Sequence, residues 1–231
     1  MREEDIIQEL EEQEGEIPGR SLLFRIFQGV IALLVLFGFL YLSGLYQYFF
    51  FQRTPLSVQQ ERVESAIDAE RITVPLTVFV LQNSETNGSK RTEPEVLALV
   101  EKASQIWEQA SIGLTVRDIH ILERSDKEID LLLDSSYLFF QGVEELDTSA
   151  INVFLTANLR GVNGLAFSGF LAIAIADYTS VYDFRVLAHE VGHILGLNHI
   201  ESPGQLMYQG ANGFELSLQE ILRAREKAAR F

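Results

Sequence analysis

Three histidines and one glutamate stand close together in the segment AHEVGHILGLNH. His189 and His193 are four residues apart, so on a helix their imidazoles share one face and can reach one metal ion. Gly196 can adopt the left-handed conformation that ends a helix, and the resulting turn brings His199 back as a third ligand. Glu190 is placed to hold a water molecule at the metal. Three neutral imidazoles and one open position are typical of a catalytic zinc site.

The composition excludes several other kinds of chemistry. The chain of 231 residues carries 33 acidic and 18 basic side chains, a formal net charge of −15, so nucleic acid is not an expected partner. Because there is no cysteine, disulfides, thiolate metal sites and a cysteine nucleophile are excluded. The fourth histidine, His120, lies in a strand pattern and is predicted to be structural.

The complete pattern H-E-x-x-H-x-x-G-x-x-H is the metzincin signature, which a methionine turn follows. Here Met207 stands in a Leu-Met-Tyr triplet, eight residues after His199 and three after Gly204. On these residues the chain resembles the matrixin catalytic domain. Gln209 departs from the family, which has proline at this position. Since only His120 remains, the family's second, structural zinc site is expected to be absent.

The resemblance implies a zinc-dependent endopeptidase with the zincin fold of the metzincins. One Zn²⁺ is expected on His189, His193 and His199. Glu190 is expected to act as the general base, so that peptide bonds are hydrolysed through a zinc-activated water. Met207 is implied to form an apolar floor beneath the imidazoles, which is a structural role. The expected partner is a protein or peptide substrate.

The resemblance also implies how a substrate is bound. In metzincins the edge strand before the active-site helix pairs with the extended substrate backbone, and GLAFSGFLAIAIAD occupies that place here. The wall of the S1′ pocket is expected from residues 200–209. The predicted substrate-binding residues are Gly164, Leu165, Ala166, Phe167 and Tyr208.

Hydrophobic patterning predicts the elements that position these residues, in an α+β (α/β-like) fold with a mixed twisted sheet. Strands are predicted in ITVPLTVFVLQ, GLTVRDIHIL, INVFLTANL and GLAFSGFLAIAIADY, with helices in TEPEVLALVEKASQIWEQA and VYDFRVLAHEVGHILGL. Ser217 and Glu220 form a capping box that opens a C-terminal helix. The acidic residues 123–148 are predicted to be irregular.

No charged residue occurs between Arg25 and Arg53, a run long enough to cross a bilayer. The run is longer than the apolar region of a signal peptide and has no polar face. The domains are therefore predicted as an acidic tail 1–25, a transmembrane helix 26–52, a stalk 53–71 and a protease domain 72–231. The flanking arginines leave the orientation nearly tied. The analogy with metzincins predicts a single-pass protein whose catalytic domain is extracytoplasmic.

Two alternatives to a peptidase remain open at this stage. The chain could be a non-catalytic, membrane-tethered binding module on a metzincin fold, because a fold alone does not determine a function. It could also be a zinc amidohydrolase that acts on a non-protein amide such as a cell-wall component. The absence of cysteine excludes the cysteine-capped latency of animal matrixins, so another form of regulation is needed.

Overall fold

A mostly parallel sheet of five strands lies at the centre of the chain in a computed structural model, which describes residues 29–32, 35, 70–82, 86–210 and 212–231. The strands are β1 Ile72–Gln82, β2 Ile112–Glu123, β3 Ile151–Thr156, β4 Gly164–Phe167 and β5 Ala172–Ala176. Their order is β2-β1-β3-β5-β4, and only β4 runs antiparallel to its neighbour. The five helices within residues 70–231 are α1 Glu93–Trp107, α2 Asp126–Asp134, α3 Ser136–Gln141, α4 Asp183–Ile194 and α5 Leu218–Ala228.

The central strands are buried on both faces, as is usual for parallel strands. Alternate residues of β1, β3 and β5 point to opposite sides, so each strand contributes to two cores. One core lies against α1 and α4, and its sheet residues are Val74, Leu76, Val78, Val80, Ile112, Leu114, Ile151, Val153, Leu155, Ile173 and Ile175. The other core lies against α2 and α3, and its sheet residues are Phe79, Leu81, Phe154, Ala172, Ala174 and Ala176.

Aromatic rings fill the second core. Phe154 of β3 stacks on Phe79 of β1 with ring centroids 4.7 Å apart, and Phe139 of α3 meets its ring edge-on at 5.3 Å. The small alanines of β5 on this face leave room for these rings and for Phe140, whose ring lies 4.5 Å from that of Phe170. The large Phe154 in β3 and the small alanines in the neighbouring β5 thus complement each other on the face that α3 covers.

The prediction that residues 123–148 are irregular is wrong, because this segment contains α2 and α3. Ser125 starts α2 through a capping box, in which its backbone N–H donates to the Glu128 carboxylate at 2.8 Å. Ile129 and Leu132, three residues apart, bury one face of this short helix. The segment contains many acidic residues and few buried apolar ones, so its helical periodicity is difficult to recognise in the sequence.

The other elements predicted within residues 72–231 are confirmed, and so is the α+β class. The segment GLAFSGFLAIAIADY forms two strands, β4 and β5, which a short 3₁₀ turn at Ser168–Phe170 joins. The Ser217 capping box starts α5, and its hydroxyl donates to the Glu220 carboxylate at 2.6 Å. His120 stacks on the Phe79 ring with centroids 5.1 Å apart, which agrees with a structural role in the sheet.

The chain divides into two compact units, residues 1–59 and 60–231. In the first unit, residues 29–32 and 35 are helical, and the side chains of Val30, Ile31 and Val35 are exposed. Most of the predicted span 26–52, the tail 1–25 and most of the stalk lie outside the described residues. Within the described part of the chain, no helix combines the length and the apolar composition that crossing a membrane requires.

Candidate metal centre

Helix α4 follows β5 directly and holds two of the predicted metal ligands. Its apolar residues Val186, Leu187, Ala188, Val191 and Ile194 are packed in the first core, which fixes the rotation of the helix about its axis. As a result His189 is only 5% exposed and Glu190 only 7%. Burial of two polar side chains that serve no packing purpose needs a compensating interaction.

The end of α4 carries the chain to the third predicted ligand. Gly196 has a φ of +83°, the left-handed conformation that favours glycine. The backbone N–H of Leu197 donates to the Gly192 carbonyl at 2.9 Å and closes the turn. The structure therefore places His199 beside the helix, as the turn at Gly196 predicts.

The imidazoles of His189, His193 and His199 converge on one point. The Nε2 atom of His199 lies 3.2 Å from that of His189 and 3.0 Å from that of His193. Two nitrogen atoms held tetrahedrally by zinc at ~2.0–2.1 Å are about 3.3 Å apart, so the spacing fits a shared Zn²⁺. Among the described residues, these three form the one cluster of at least three metal-binding side chains.

The outer nitrogens of two imidazoles are hydrogen-bonded to the backbone. The Nδ1 atom of His189 lies 2.8 Å from the Leu206 carbonyl oxygen, and that of His193 lies 3.0 Å from the Leu197 carbonyl oxygen. A carbonyl can only accept, so both Nδ1 atoms carry the proton. Each Nε2 atom then presents a lone pair to the centre, which is the tautomer that a metal ligand needs. The donor set thus fits one zinc ion.

Burial keeps the first two histidines neutral near pH 7. It lowers the pKa of His189 to about 4, against the opposing effect of the hydrogen bond with Leu206. Burial also lowers the pKa of His193, although the Leu197 carbonyl opposes this shift. Because a protonated imidazole cannot bind a metal, these shifts extend the pH range over which the site can be filled.

Glu190 lies against the edge strand β4. A Cβ atom at Gly164 would stand 2.9 Å from the Glu190 Cγ and 3.1 Å from its Oε1, so only glycine leaves room for this carboxylate. Burial raises the pKa of Glu190 to about 8, while the positive charge of Arg185 opposes the shift. A bound divalent cation acts in the same direction as Arg185. Burial and the neighbouring positive charges therefore act in opposite directions on the pKa of this carboxyl group.

The predicted methionine turn packs against the middle of α4. Met207 is fully buried, and its Sδ would stand 2.6 Å from a Cβ atom at Gly192, between His189 and His193 in the sequence. Glycine at this position lets the turn approach the helix closely. The backbone of the turn is also held, since the Ile200 N–H donates to the Met207 carbonyl at 3.2 Å.

A buried arginine ties the same turn to α4. Arg185 is only 3% exposed, and its Nη2 donates to the Leu206 carbonyl at 2.6 Å and to the Tyr208 carbonyl. Its Nε also donates to the Gly213 carbonyl at 3.4 Å. Burial lowers the pKa of Arg185. The Leu206 carbonyl thus accepts from both Arg185 and His189, which links the position of the turn to that of the first imidazole.

The three histidines and Glu190 line a cleft of about 630 Å³ that runs along β4. The other residues of its lining are Val162, Gly164, Leu165, Ala166, Ser168, Gly196, Leu197, Asn198, Gln209 and Arg223. A second pocket of about 420 Å³ shares His199 and Gln209 with the cleft, and Ile200, Glu201 and Tyr208 complete its lining.

The predicted substrate-binding residues fall into two groups. Gly164, Leu165 and Ala166 line the cleft, on the edge strand of the sheet. Tyr208 lines the adjoining pocket, in the segment from which the S1′ wall is expected. Phe167 is instead packed against the second core, with its ring 5.1 Å from that of Phe140.

Sequence reasoning did not find several residues of this region. Arg185 stands out in the sequence as a charge among the apolar residues of α4, and this signal points to a buried, hydrogen-bonded arginine. Gly192 lies within the metal motif at a position that the motif leaves variable. Arg223 comes from α5, and nothing in its local sequence places it in the cleft.

Comparison with protein families gives one match. Residues 76–220, more than half of the chain, match the family model described as Matrixin. The matched region runs from β1 to the first turn of α5, and it includes the three histidines, Glu190 and Met207. A search of curated proteins finds no match.

Three solved structures match this chain in part, each at low sequence identity. Metalloproteinase-II from Bacteroides fragilis has 14% sequence identity and a TM-score of 0.48, over 71% of this chain and 60% of that chain. Archaemetzincin from Methanopyrus kandleri has 16% identity and a TM-score of 0.41, over 69% and 95%. A zinc-dependent peptidase from Methanocorpusculum labreanum has 15% identity and a TM-score of 0.35, over 66% and 99%. This chain thus spans about 60% of the length of the Bacteroides protein.

Proposed function

The chain belongs to the matrixin family, and we propose that it is a zinc-dependent endopeptidase anchored in a membrane. The observation that carries the proposal is the convergence of three imidazole nitrogens within a cleft that also contains the buried Glu190. A site that only stabilised the fold would have no need of an acid–base group beside an open metal position. The substrate class is a protein or peptide.

The metal ligands and the base have separate roles in this proposal. His189, His193 and His199 hold Zn²⁺, which when bound polarises a peptide carbonyl and lowers the pKa of water. Glu190 accepts a proton from the attacking water at a carboxylate oxygen and later donates it to the leaving amine. Burial raises the pKa of this group, while Arg185 and a bound divalent cation oppose the shift.

Strand β4 aligns the substrate in this proposal. It is the edge strand of the sheet beside the cleft, so an extended peptide can add to it through backbone hydrogen bonds. Gly164, Leu165 and Ala166 then lie next to the peptide. Tyr208 contributes to the pocket for the first side chain after the cleaved bond.

The variant Glu190→Ala tests the mechanism. We expect the purified full-length variant to keep about one zinc per chain and to lose hydrolysis of a peptide library by at least about 100-fold, because the acid–base group is removed and the ligands remain. Metal analysis and cleavage rates are measured beside the wild type and Glu144→Ala, a matched control on an exposed carboxylate outside the cleft and the adjoining pocket. Unchanged cleavage by Glu190→Ala would contradict the mechanism. Zinc binding by a wild type that cleaves no peptide would instead favour a binding module.

Membrane anchoring rests on the uncharged run 26–52 and is part of the proposal. We expect the full-length chain to stay in the membrane pellet after carbonate extraction, because an apolar helix of this length crosses the bilayer core. Added protease should degrade residues 72–231 on intact cells if the domain is extracytoplasmic. Release of the chain by carbonate would overturn the anchor, and full protection of the domain would overturn the orientation.

A further inference from the structure

Arg223 brings an isolated positive charge into the active-site cleft. It is exposed on α5, and its side chain lines the same cavity as His193 and Glu190. Its Nε lies 3.7 Å from the place where a Cβ atom would stand at Gly196, so the guanidinium group reaches the turn that follows α4. Within the described residues, no other lysine or arginine lines this cavity.

The side chain has no structural partner to account for its place. No hydrogen bond or ion pair engages Arg223 within the described part of the chain. Arg225, two residues later, shows the contrast: it donates to the Ala110 carbonyl at 2.7 Å and to the Glu70 carbonyl at 3.0 Å, and so ties α5 to neighbouring segments. Among the described residues, the N–H donors of Arg223 therefore remain available to a group that enters the cleft.

The charge of Arg223 is opposite in sign to the net charge of the chain. The chain carries a net charge of −15, which on its own disfavours the approach of an acidic peptide. A local cation at the cleft offsets this repulsion at one position only. The adjoining pocket carries the opposite charge, because Glu201 and no lysine or arginine lines it within the described residues.

From these observations we propose that Arg223 is a specificity-determining residue, which selects peptides with an aspartate or glutamate side chain at one fixed position near the cleaved bond. The guanidinium group can bind a carboxylate through two parallel hydrogen bonds, so the position of the acidic residue along the peptide is fixed. The inference deepens the proposed peptidase function and rests on it.

The test compares charge variants of the full-length zinc-loaded chain on matched peptides. The peptides differ only in one residue, glutamate, glutamine or lysine, placed in turn at successive positions on both sides of the cleaved bond. We expect the wild type to prefer glutamate at one position by up to about fivefold in kcat/KM, the size expected for an exposed ion pair. The preference should appear mainly in KM and weaken at high salt.

Two variants and one control decide the result. Arg223→Glu should reverse the order of the glutamate and lysine peptides at that position. Arg223→Lys should keep a weaker preference for glutamate. The control Lys227→Glu makes the same change of net charge on an exposed side chain of the same helix, outside the cleft lining, and should behave as the wild type.

The outcomes separate the two proposals. Equal preferences in the wild type and Arg223→Glu, or the same reversal in Lys227→Glu, overturn the role of Arg223 while the peptidase function stands. A zinc-loaded wild type that cleaves none of the peptides, charged or neutral, overturns the peptidase function and with it the inference.

Discussion

At the scale of single residues, Gly192 is a point of close contact between the methionine turn and helix α4. A Cβ atom at Gly192 would stand 2.6 Å from the Sδ of Met207, which is too close for any residue other than glycine. Met207 cannot retreat freely, since it is fully buried and its neighbour Leu206 accepts a hydrogen bond from His189. A change at Gly192 therefore reaches the metal site through the turn.

We predict that Gly192→Ala weakens zinc binding by about tenfold, in the range usual for changes to the groups that orient metal ligands. The added methyl group displaces Met207 and with it the Leu206 carbonyl that orients His189. Zinc affinity is measured by competition with a chelator of known strength. Gly169→Ala is the matched control, because no atom lies within 4 Å of its added Cβ. Equal zinc affinities for the two variants would contradict the proposed link.

Much of the site can be predicted from the sequence at this scale, because the spacing of the residues within the motif determines their relative positions on the helix and after it. The helical spacing of His189 and His193 and the helix end at Gly196 are local properties, and they place His199 in turn. The close contact of Gly164 with Glu190 depends on how β4 packs on α4. Such a contact between segments that are distant in sequence leaves no local signal.

At the scale of elements, Arg185 fastens the methionine turn to α4. Three backbone carbonyls, those of Leu206, Tyr208 and Gly213, accept hydrogen bonds from its guanidinium group in a buried region. A carbonyl that loses its donor while remaining buried costs about 1–3 kcal/mol. The arginine is therefore expected to matter for stability even though it does not enter the cleft lining.

We predict that Arg185→Met, which keeps most of the side-chain volume, lowers the free energy of unfolding by about 1–3 kcal/mol or more. Thermal unfolding of the zinc-free chain, followed by circular dichroism, measures the loss without any contribution from metal binding. Arg230→Met serves as the control, since Arg230 is exposed and, among the described residues, its guanidinium group pairs with Glu226 alone, at 3.3 Å. A loss no larger than that of the control would show that the turn is held by other contacts.

Elements with a strong apolar period can be predicted from the sequence, and α4 and β1 are examples. The pair α2 and α3 could not be recognised in the same way. Only Ile129 and Leu132 of α2 are buried, and α3 is short, so neither has enough turns to show a period. The Ser125 capping box is the one local signal of a helix start there, and acidic residues surround it.

At the scale of the whole molecule, Asp147 joins the loop after α3 to three strands, β1 through Thr77, β2 through Arg117 and β3 through Asn152. It accepts hydrogen bonds from the Arg117 guanidinium group at 2.6 Å and from the Ser149 N–H at 2.7 Å. Its backbone is paired with the buried side chain of Asn152 in β3. The Ser149 amide and hydroxyl and the Arg117 charge lower the pKa of Asp147 to about 2.

We predict that Asp147→Asn removes part of the acid stability of the fold. The folded pKa is lower than the unfolded value of ~3.9, so the charged carboxylate stabilises the protein above about pH 4 and this contribution is lost as the pH falls towards 2. The difference in unfolding free energy between wild type and variant should thus be largest near pH 6 and shrink on acidification. Denaturant unfolding across this pH range measures it.

The exposed Asp118 of β2 provides the control for this experiment, because no hydrogen bond or ion pair of its carboxylate occurs within the described residues. Asp118→Asn makes the same change of side chain and of net charge, and the two variants are measured side by side. A stability difference for Asp147→Asn that stays constant between pH 6 and pH 2 would contradict the assigned role of the carboxylate.

Under the proposed function, the edge position of β4 limits which proteins can be cut. A chain that adds to this strand must offer backbone N–H and C=O groups that are not already bonded within its own helices or sheets. Segments that meet this condition are loops, termini and regions that unfold locally, so folded proteins should be nicked at few places. Cleavage is then limited first by whether a segment of the target can become extended and only afterwards by its side chains. A less stable target should therefore be cut sooner than a stable one.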